Sequence, residues 1–199
     1  MSYYDIIAGN FQATIETIAL SVDDLAHPIE ASAHLMTETL LQDGKILTCG
    51  SGVDATLSQL LASQLLGQYE HERPALPALA LSADSSSLSN IAHTSGFNET
   101  LARPLRALGQ PGDVLFCISS GSNANTLLRA VQAAHERNMR VIALSNSGDN
   151  QLGTLIRSED VEIRVSAARQ PQVVELHTMI IHCLCELIEH SLFGTYSRE

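Results

Sequence analysis

Three times in this chain, a short apolar run of strand length ends in a cluster of glycine and serine. Residues 45–49 (KILTC) lead into Gly50-Ser51-Gly52, and residues 113–118 (DVLFCI) into Ser119-Ser120-Gly121-Ser122-Asn123. Residues 140–144 (RVIAL) lead into Ser145-Asn146-Ser147-Gly148. Between these runs, Leu57, Leu60, Leu61 and Leu65, and then Leu127, Leu128, Val131 and Ala134, recur at three- and four-residue intervals, the period of a helix with one apolar face. Strands that alternate with helices pair in parallel, because each helix carries the chain back before the next strand begins. The expected class is therefore α/β, a parallel sheet with helices on both faces. Two further strands are expected at residues 78–81 and 161–165.

The two ends of the chain read differently. Near the start, Ile7, Phe11, Ile15, Ile18 and Val22 share one helical face, and a second run that opens at Pro28 holds Leu35, Met36, Leu40 and Leu41. Two amphipathic helices are expected over residues 1–43, followed by an α/β core over 44–168. Beyond that core, Val173, Val174, Leu176, Ile180, Ile181, Leu184, Leu187, Ile188 and Leu192 leave little polar face. A helix over 169–194 of that kind is expected to pack in an oligomer interface as well as on its own sheet. With 199 residues, 45% of them hydrophobic, no internal repeat and no Pro/Gly-rich linker, one domain over 1–199 is the expectation.

Charge and cysteine usage narrow the function classes. Asp plus Glu number 22 against 11 Lys plus Arg, for a net charge of -11 with no basic cluster, which argues against direct nucleic-acid contact. No run approaches the roughly 18 apolar residues of a membrane span, and the first residues lack the basic region of a signal peptide, so a cytoplasmic protein is expected. Cys49, Cys117, Cys183 and Cys185 are scattered among apolar residues and read as small buried hydrophobes rather than as a zinc or disulfide framework.

Ligands of an open parallel sheet bind beyond the carboxyl ends of its strands, where the three small-residue loops lie. Backbone amides and the following helix N-terminus offer donors and partial positive charge to an anion, and serine hydroxyls add more. Gly50 and Ser51, with Ser119, Ser120, Ser122 and Asn123, therefore form a candidate phosphate-binding set. The competing reading is that Gly, Ser and Asn simply serve as turn residues and helix caps. Asp54, at the start of the helix after Gly52, is expected to satisfy that helix's own unpaired amides and so to compete with a phosphate.

Several strings are similar to a known family: KILTCGSG over 45–52, ERPALPALAL over 72–81, RALGQPGDVL over 106–115, ISSGSN over 118–123, DVEIRV over 160–165 and HCLCELI over 182–188. They resemble the SIS (sugar isomerase) domain across essentially the whole chain, in the subgroup that holds the GmhA phosphoheptose isomerases and the DiaA initiator-associating proteins. The resemblance implies a three-layer sandwich, with a five-stranded parallel sheet between helices, assembled as a homotetramer or homodimer. For the isomerases it implies conversion of sedoheptulose 7-phosphate to D-glycero-D-manno-heptose 7-phosphate through an enediol, with a glutamate and a histidine as acid and base and, in many members, zinc.

Matched residue by residue, the chain departs from that pattern. The family's histidine and catalytic glutamate fall on Leu60 and Gln64, its glutamine ligand on Val174, and its first phosphate serine on Asp54. Two of the second loop's serines fall on Gly121 and Ala124, and an arginine falls on Gln68. With zinc ligands missing at Leu60, Gln64 and Val174, no cofactor is expected. His182 stands at the acid/base histidine's place, with Glu175 on the same helical face as a local hydrogen-bond partner. A Leu192-Phe193 pair matches the partner contact of DiaA-like proteins; it also reads as the end of the last helix closing onto the core. From these departures the expected function is a non-catalytic, DiaA-like scaffold that binds the initiator DnaA at the replication origin. The alternative is a phosphoheptose isomerase or a sugar-phosphate sensor.

Overall fold

The computed structural model describes residues 1–121, 125–148 and 150–194. Five strands form one parallel sheet: β1 (Ile46–Gly50), β2 (Ala78–Ala80), β3 (Val114–Ile118), β4 (Arg140–Asn146) and β5 (Val161–Val165), in the order β2-β1-β3-β4-β5. The five strand segments expected from the apolar runs are present to within two residues. In the central register Ile46 faces Val114 and Cys49 faces Cys117, while Leu115 faces Val141. Every residue of β1 and β3 is buried, because helices cover both faces, and this is why these strands read as continuous apolar runs.

The helices are α1 (Tyr3–Leu41), α2 (Val53–Leu66), α3 (Ser85–Ser95), α4 (Ala102–Leu108), α5 (Asn125–Glu136), α6 (Asn150–Gly153) and α7 (Gln170–Phe193), with a 3-10 turn at Phe97–Glu99. Alternate strand residues sort into two cores. Ile46, Phe116, Ile142 and Ile163 pack with Met36 of α1, Leu61 of α2 and Ile180 of α7. Leu47, Leu115 and Val141, from the opposite face, pack with Leu105 of α4, Leu127 and Val131 of α5 and Leu152 of α6. Cys49, Cys117 and Cys185 are buried, Cys183 is half-buried and all four are free, as expected of small apolar side chains.

One expectation about the N-terminus is corrected. Tyr3–Leu41 form a single helix that runs through Pro28, not two helices separated there. Proline lacks the amide that would bond the carbonyl four residues back. The helix nevertheless continues, because Leu25, Ala33, Leu35 and Met36 are buried on the core side of both segments, and tertiary packing outweighs the lost bond. A capping box starts the helix: Asp5 N donates to Ser2 Oγ at 3.1 Å and Ser2 N donates to Asp5 Oδ2 at 2.8 Å. Its N-terminal half leaves Ile7, Phe11, Ile15 and Val22 exposed. Among the described residues, no helix is long and apolar enough to cross a membrane.

Two opposite edges of the sheet follow from the connections. The strands begin at one edge, where β1 leaves the end of α1, and end at the other, where α2 and α5 start. Asp113 at the beginning of β3 accepts from Lys45 N at 3.0 Å, Lys45 Nζ at 2.6 Å and Gln110 N at 2.8 Å. Asp160, just before β5, accepts from Val141 N and Arg157 N and meets His135 Nε2 at 2.8 Å. These two buried carboxylates tie neighbouring strands together at the starting edge.

Candidate functional site at the carboxyl ends of the strands

The loops after β1 and β3 lie side by side, because β1 and β3 are neighbours and Gly50 is in register with Ile118. Glycine is required at position 50: a Cβ there would overlap the Asp54 carbonyl. Gly52, at φ 63, turns the chain into α2 in a conformation that side chains disfavour.

Asp54 departs from its expected role. No side chain caps α2 at Gly52. Instead Asp54 Oδ2 accepts the Ser120 amide N–H at 2.9 Å from the neighbouring loop. The carboxylate is buried, and its Oδ1 has no hydrogen-bond partner among the described residues. Burial pushes its pKa above the usual carboxylate value, and the Ser120 bonds offset this in part. The parallel sheet holds the two loops close enough for this bond, and residue spacing within α2 carries no sign of it.

Of the other expected ligand residues, Ser119 is buried, with its hydroxyl donating to Gly121 O at 3.0 Å. Its carbonyl accepts from Asn146 Nδ2 at 3.3 Å. Ser120 Oγ accepts from Gln170 Nε2 at 3.5 Å, at the first turn of α7. Ser122 and Asn123 lie outside the described residues. Gly50 and Ser51 line a cavity of about 270 Å³ whose floor and walls include Ser82, Leu88, Phe97 and Thr126. Neutral donors and apolar surface in one such cleft suit a small polar molecule.

The structure does not bring His182 to these loops within one chain. Gln170, which reaches Ser120, and His182 are twelve residues apart on α7, about 18 Å along the helix at roughly 1.5 Å per residue. The His182 ring lies over Tyr69, with ring centroids 5.9 Å apart. The local partner expected for it is engaged elsewhere: Glu175 accepts from Thr14 Oγ1 of α1 at 2.7 Å. Leu192 and Phe193 are half-buried and pack against the core. They stay on the core because α7 continues through Phe193 before ending at Gly194.

Two features escaped the sequence reading. Arg73 and Glu189, both almost fully buried, form an ion pair at 2.6 Å. Arg73 also donates to Gln64 O at 2.6 Å and Leu65 O at 2.8 Å, satisfying the last carbonyls of α2, and Tyr69 N donates to Glu189 at 3.1 Å. This clamp holds the end of α2, with Gln64 and Tyr69, against α7. A glutamate between the apolar Ile188 and Leu192 was the available signal, since a buried charge requires a partner. The second is His177, fully buried on α7 with Nε2 3.1 Å from Ser145 O; burial lowers its pKa to about 4.

At the positions where the resemblance places zinc ligands, Leu60 and Val174 carry no donor atoms, while Gln64 offers an amide oxygen. Among the described residues, no group of three or more His, Cys, Asp or Glu side chains gathers in a way that could hold a metal.

The family model of the SIS domain matches residues 10–146. A phosphoheptose isomerase of Chromohalobacter salexigens is 41% identical over 195 residues, covering 98% of this chain and 99% of that protein. One of Thiobacillus denitrificans is 43% identical over 194 residues, covering 98% of each. Among solved structures, phosphoheptose isomerase GmhA from Neisseria gonorrhoeae superposes with TM-score 0.89 at 34% identity, covering 94% of this chain and 99% of that one. A phosphoheptose isomerase from Francisella tularensis superposes with TM-score 0.92 at 33% identity over 96% and 100%. These full-length similarities overturn the expectation of a non-catalytic, DiaA-like scaffold for DnaA, which had been drawn from a few substituted positions and from a Leu192-Phe193 pair that packs on the core. With the parallel sheet, the paired strand-end loops and matches along nearly its whole length, the chain belongs to the SIS domain family.

Proposed function

We propose that this chain binds a sugar phosphate at the loops after β1 and β3 and isomerises it, as a phosphoheptose isomerase acting on sedoheptulose 7-phosphate. The observation that carries the reading is the full-length similarity, above 40% identity, to proteins of that name. Gly50, Ser51 and Thr126 line a cavity of about 270 Å³ beside the loop after β1, which offers room for a small ligand.

Isomerisation moves a proton between neighbouring carbons through an enediol, which needs a group that takes the proton and returns it. His182 is the candidate for that role, since a neutral imidazole both accepts and donates. Its separation of about 18 Å along α7 from the loops supports a site completed by a second copy of the chain. The exposed apolar face of Ile7, Phe11 and Ile15 on α1 supports a homotetramer or homodimer. Mass measurement by light scattering tests the assembly.

A second reading, binding without conversion, is favoured by one observation: Gln64 stands where the resemblance implies a catalytic glutamate, and an amide neither takes nor returns a proton at neutral pH. Loss of a general base costs about a hundredfold to ten-thousandfold in rate. Turnover of sedoheptulose 7-phosphate, followed by NMR, separates the readings. Turnover that disappears in His182→Ala supports the isomerase. No turnover, with thermal stabilisation of about 2.7 kcal/mol when the sugar phosphate is at a hundred times its Kd, supports the sensor. No turnover and no stabilisation removes both.

A further inference from the structure

We propose that Asp54 sets which ligands the strand-end loops accept: its carboxylate is an internal occupant of the anion seat, and an external phosphate or sulfate group binds there only by displacing it. The inference takes from the proposed function only the kind of anion the loops would hold.

Three observations meet at this residue. An acidic side chain in the first turn of a helix ordinarily caps that helix, yet Asp54 leaves α2 without a side-chain cap and crosses to the next loop. There Oδ2 takes the Ser120 N–H at 2.9 Å, a backbone donor that the loop after β3 would otherwise present to an oxyanion. Among the described residues, the buried Asp54 Oδ1 in the same joint has no hydrogen-bond partner, so one carboxylate oxygen is engaged there and the other is not.

Two uncharged residues border the joint. Gly50, which has no room for a Cβ, lets the Asp54 backbone close on the end of β1. Gln170 Nε2 approaches Ser120 Oγ at 3.5 Å from the start of α7. Two anions sharing such a joint repel strongly, since partial burial reduces solvent screening. Phosphate and the Asp54 carboxylate are therefore alternatives at the Ser120 amide, and an approaching sugar phosphate must either displace the carboxylate or place its phosphate elsewhere.

The test uses the full chain with sulfate as the probe, because its charge does not change near neutral pH, and compares native protein with Asp54→Asn and Asp54→Ser by calorimetric titration. Asp54→Asn keeps the shape and an acceptor for Ser120 but removes the charge; Asp54→Ser removes the occupant. Sulfate affinity is expected to rise at least about tenfold in Asp54→Asn, the scale of a like-charge repulsion relieved, and further in Asp54→Ser. The Ser120 amide NMR resonance is expected to shift with sulfate in Asp54→Ser and to stay in place in the native chain at the same concentration. The proposal is overturned if native protein binds sulfate as tightly as folded Asp54→Asn, or if the native Ser120 amide responds to sulfate at that concentration. Should Asp54→Ser fail to fold, Asp54→Asn and the native resonance still decide the matter. Sulfate is no substrate, so the outcomes separate. Enhanced sulfate binding without isomerisation by any variant removes the isomerase reading alone. Turnover by native protein with Asp54-independent sulfate affinity removes this inference alone.

Discussion

The two edges of the sheet treat buried charge in opposite ways. At the edge where strands begin, Asp113 accepts three hydrogen bonds, two of them from Lys45. Asp160 bonds two amides and His135, and Glu189 is paired with Arg73. At the edge where strands end, Asp54 Oδ2 accepts one amide, and among the described residues neither its Oδ1 nor the buried Nδ1 of His177 has a partner. A buried carboxylate with all its lone pairs engaged locks a loop in place, whereas one left half satisfied keeps a donor in reserve. The starting edge is built to hold the fold, and the ending edge retains the unmet polar capacity that a ligand can use.

The largest expected effect breaks the well-satisfied edge. Arg73→Ala leaves Glu189 buried without its cation and frees the last carbonyls of α2, and it is expected to destabilise by about 3–5 kcal/mol. Urea denaturation measures this, and a loss below about 1 kcal/mol would show that the clamp is not essential. Asp113→Ala, at a site only 2% exposed, removes acceptors from Lys45 and Gln110 and is expected to cost about 3 kcal/mol. An unchanged denaturation midpoint would erase the distinction between the edges.

The ending edge is expected to respond to acid through His177. Its folded pKa is about 4 against 6.5 unfolded, so below 6.5 the unfolded chain takes up a proton that the folded chain refuses. Its contribution is intact above pH 6.5 and is lost progressively down to pH 4, by roughly 3 kcal/mol in total. His177→Asn is expected to flatten that part of the stability curve, and an identical slope in the variant would refute the assignment.

Asp54 carries the smallest effect and the opposite sign. Its folded pKa lies above the ordinary 3.8, so the ionised carboxylate weighs against the fold at neutral pH, and that burden lifts as pH falls through the folded value. Asp54→Asn is expected to be as stable as native protein or more so at pH 7, with the difference closing in acid. A variant clearly less stable at pH 7 would place Asp54 with Asp113 as a structural carboxylate.

Much of this architecture was legible from the chain alone. Strands buried on both faces are continuous apolar runs, and glycine and serine mark where each must release the chain into a helix, so the sheet and its strand-end loops were visible in residues 45–52, 113–121 and 140–148. The break expected at Pro28 was not there, because a local penalty of proline yielded to burial of Leu25 and Met36 on one continuous face. The site was less legible. Asp54 read as a cap because capping is a contact within a few residues, while its actual partner, Ser120, is brought to it by strand pairing. His182 read as a member of the same site, yet α7 carries it away along its length to Tyr69.

The sequence by itself determined the class of the fold, the five strands and the glycine- and serine-rich loops at their ends, because these depend on periodicity and on the backbone demands of neighbouring residues. Only the tertiary structure decided which groups satisfy one another: Arg73 with Glu189, Asp54 with Ser120, and Leu192 and Phe193 with the core. Such pairings join residues far apart in the chain, and their energy depends on burial and geometry, which no local pattern of residues encodes.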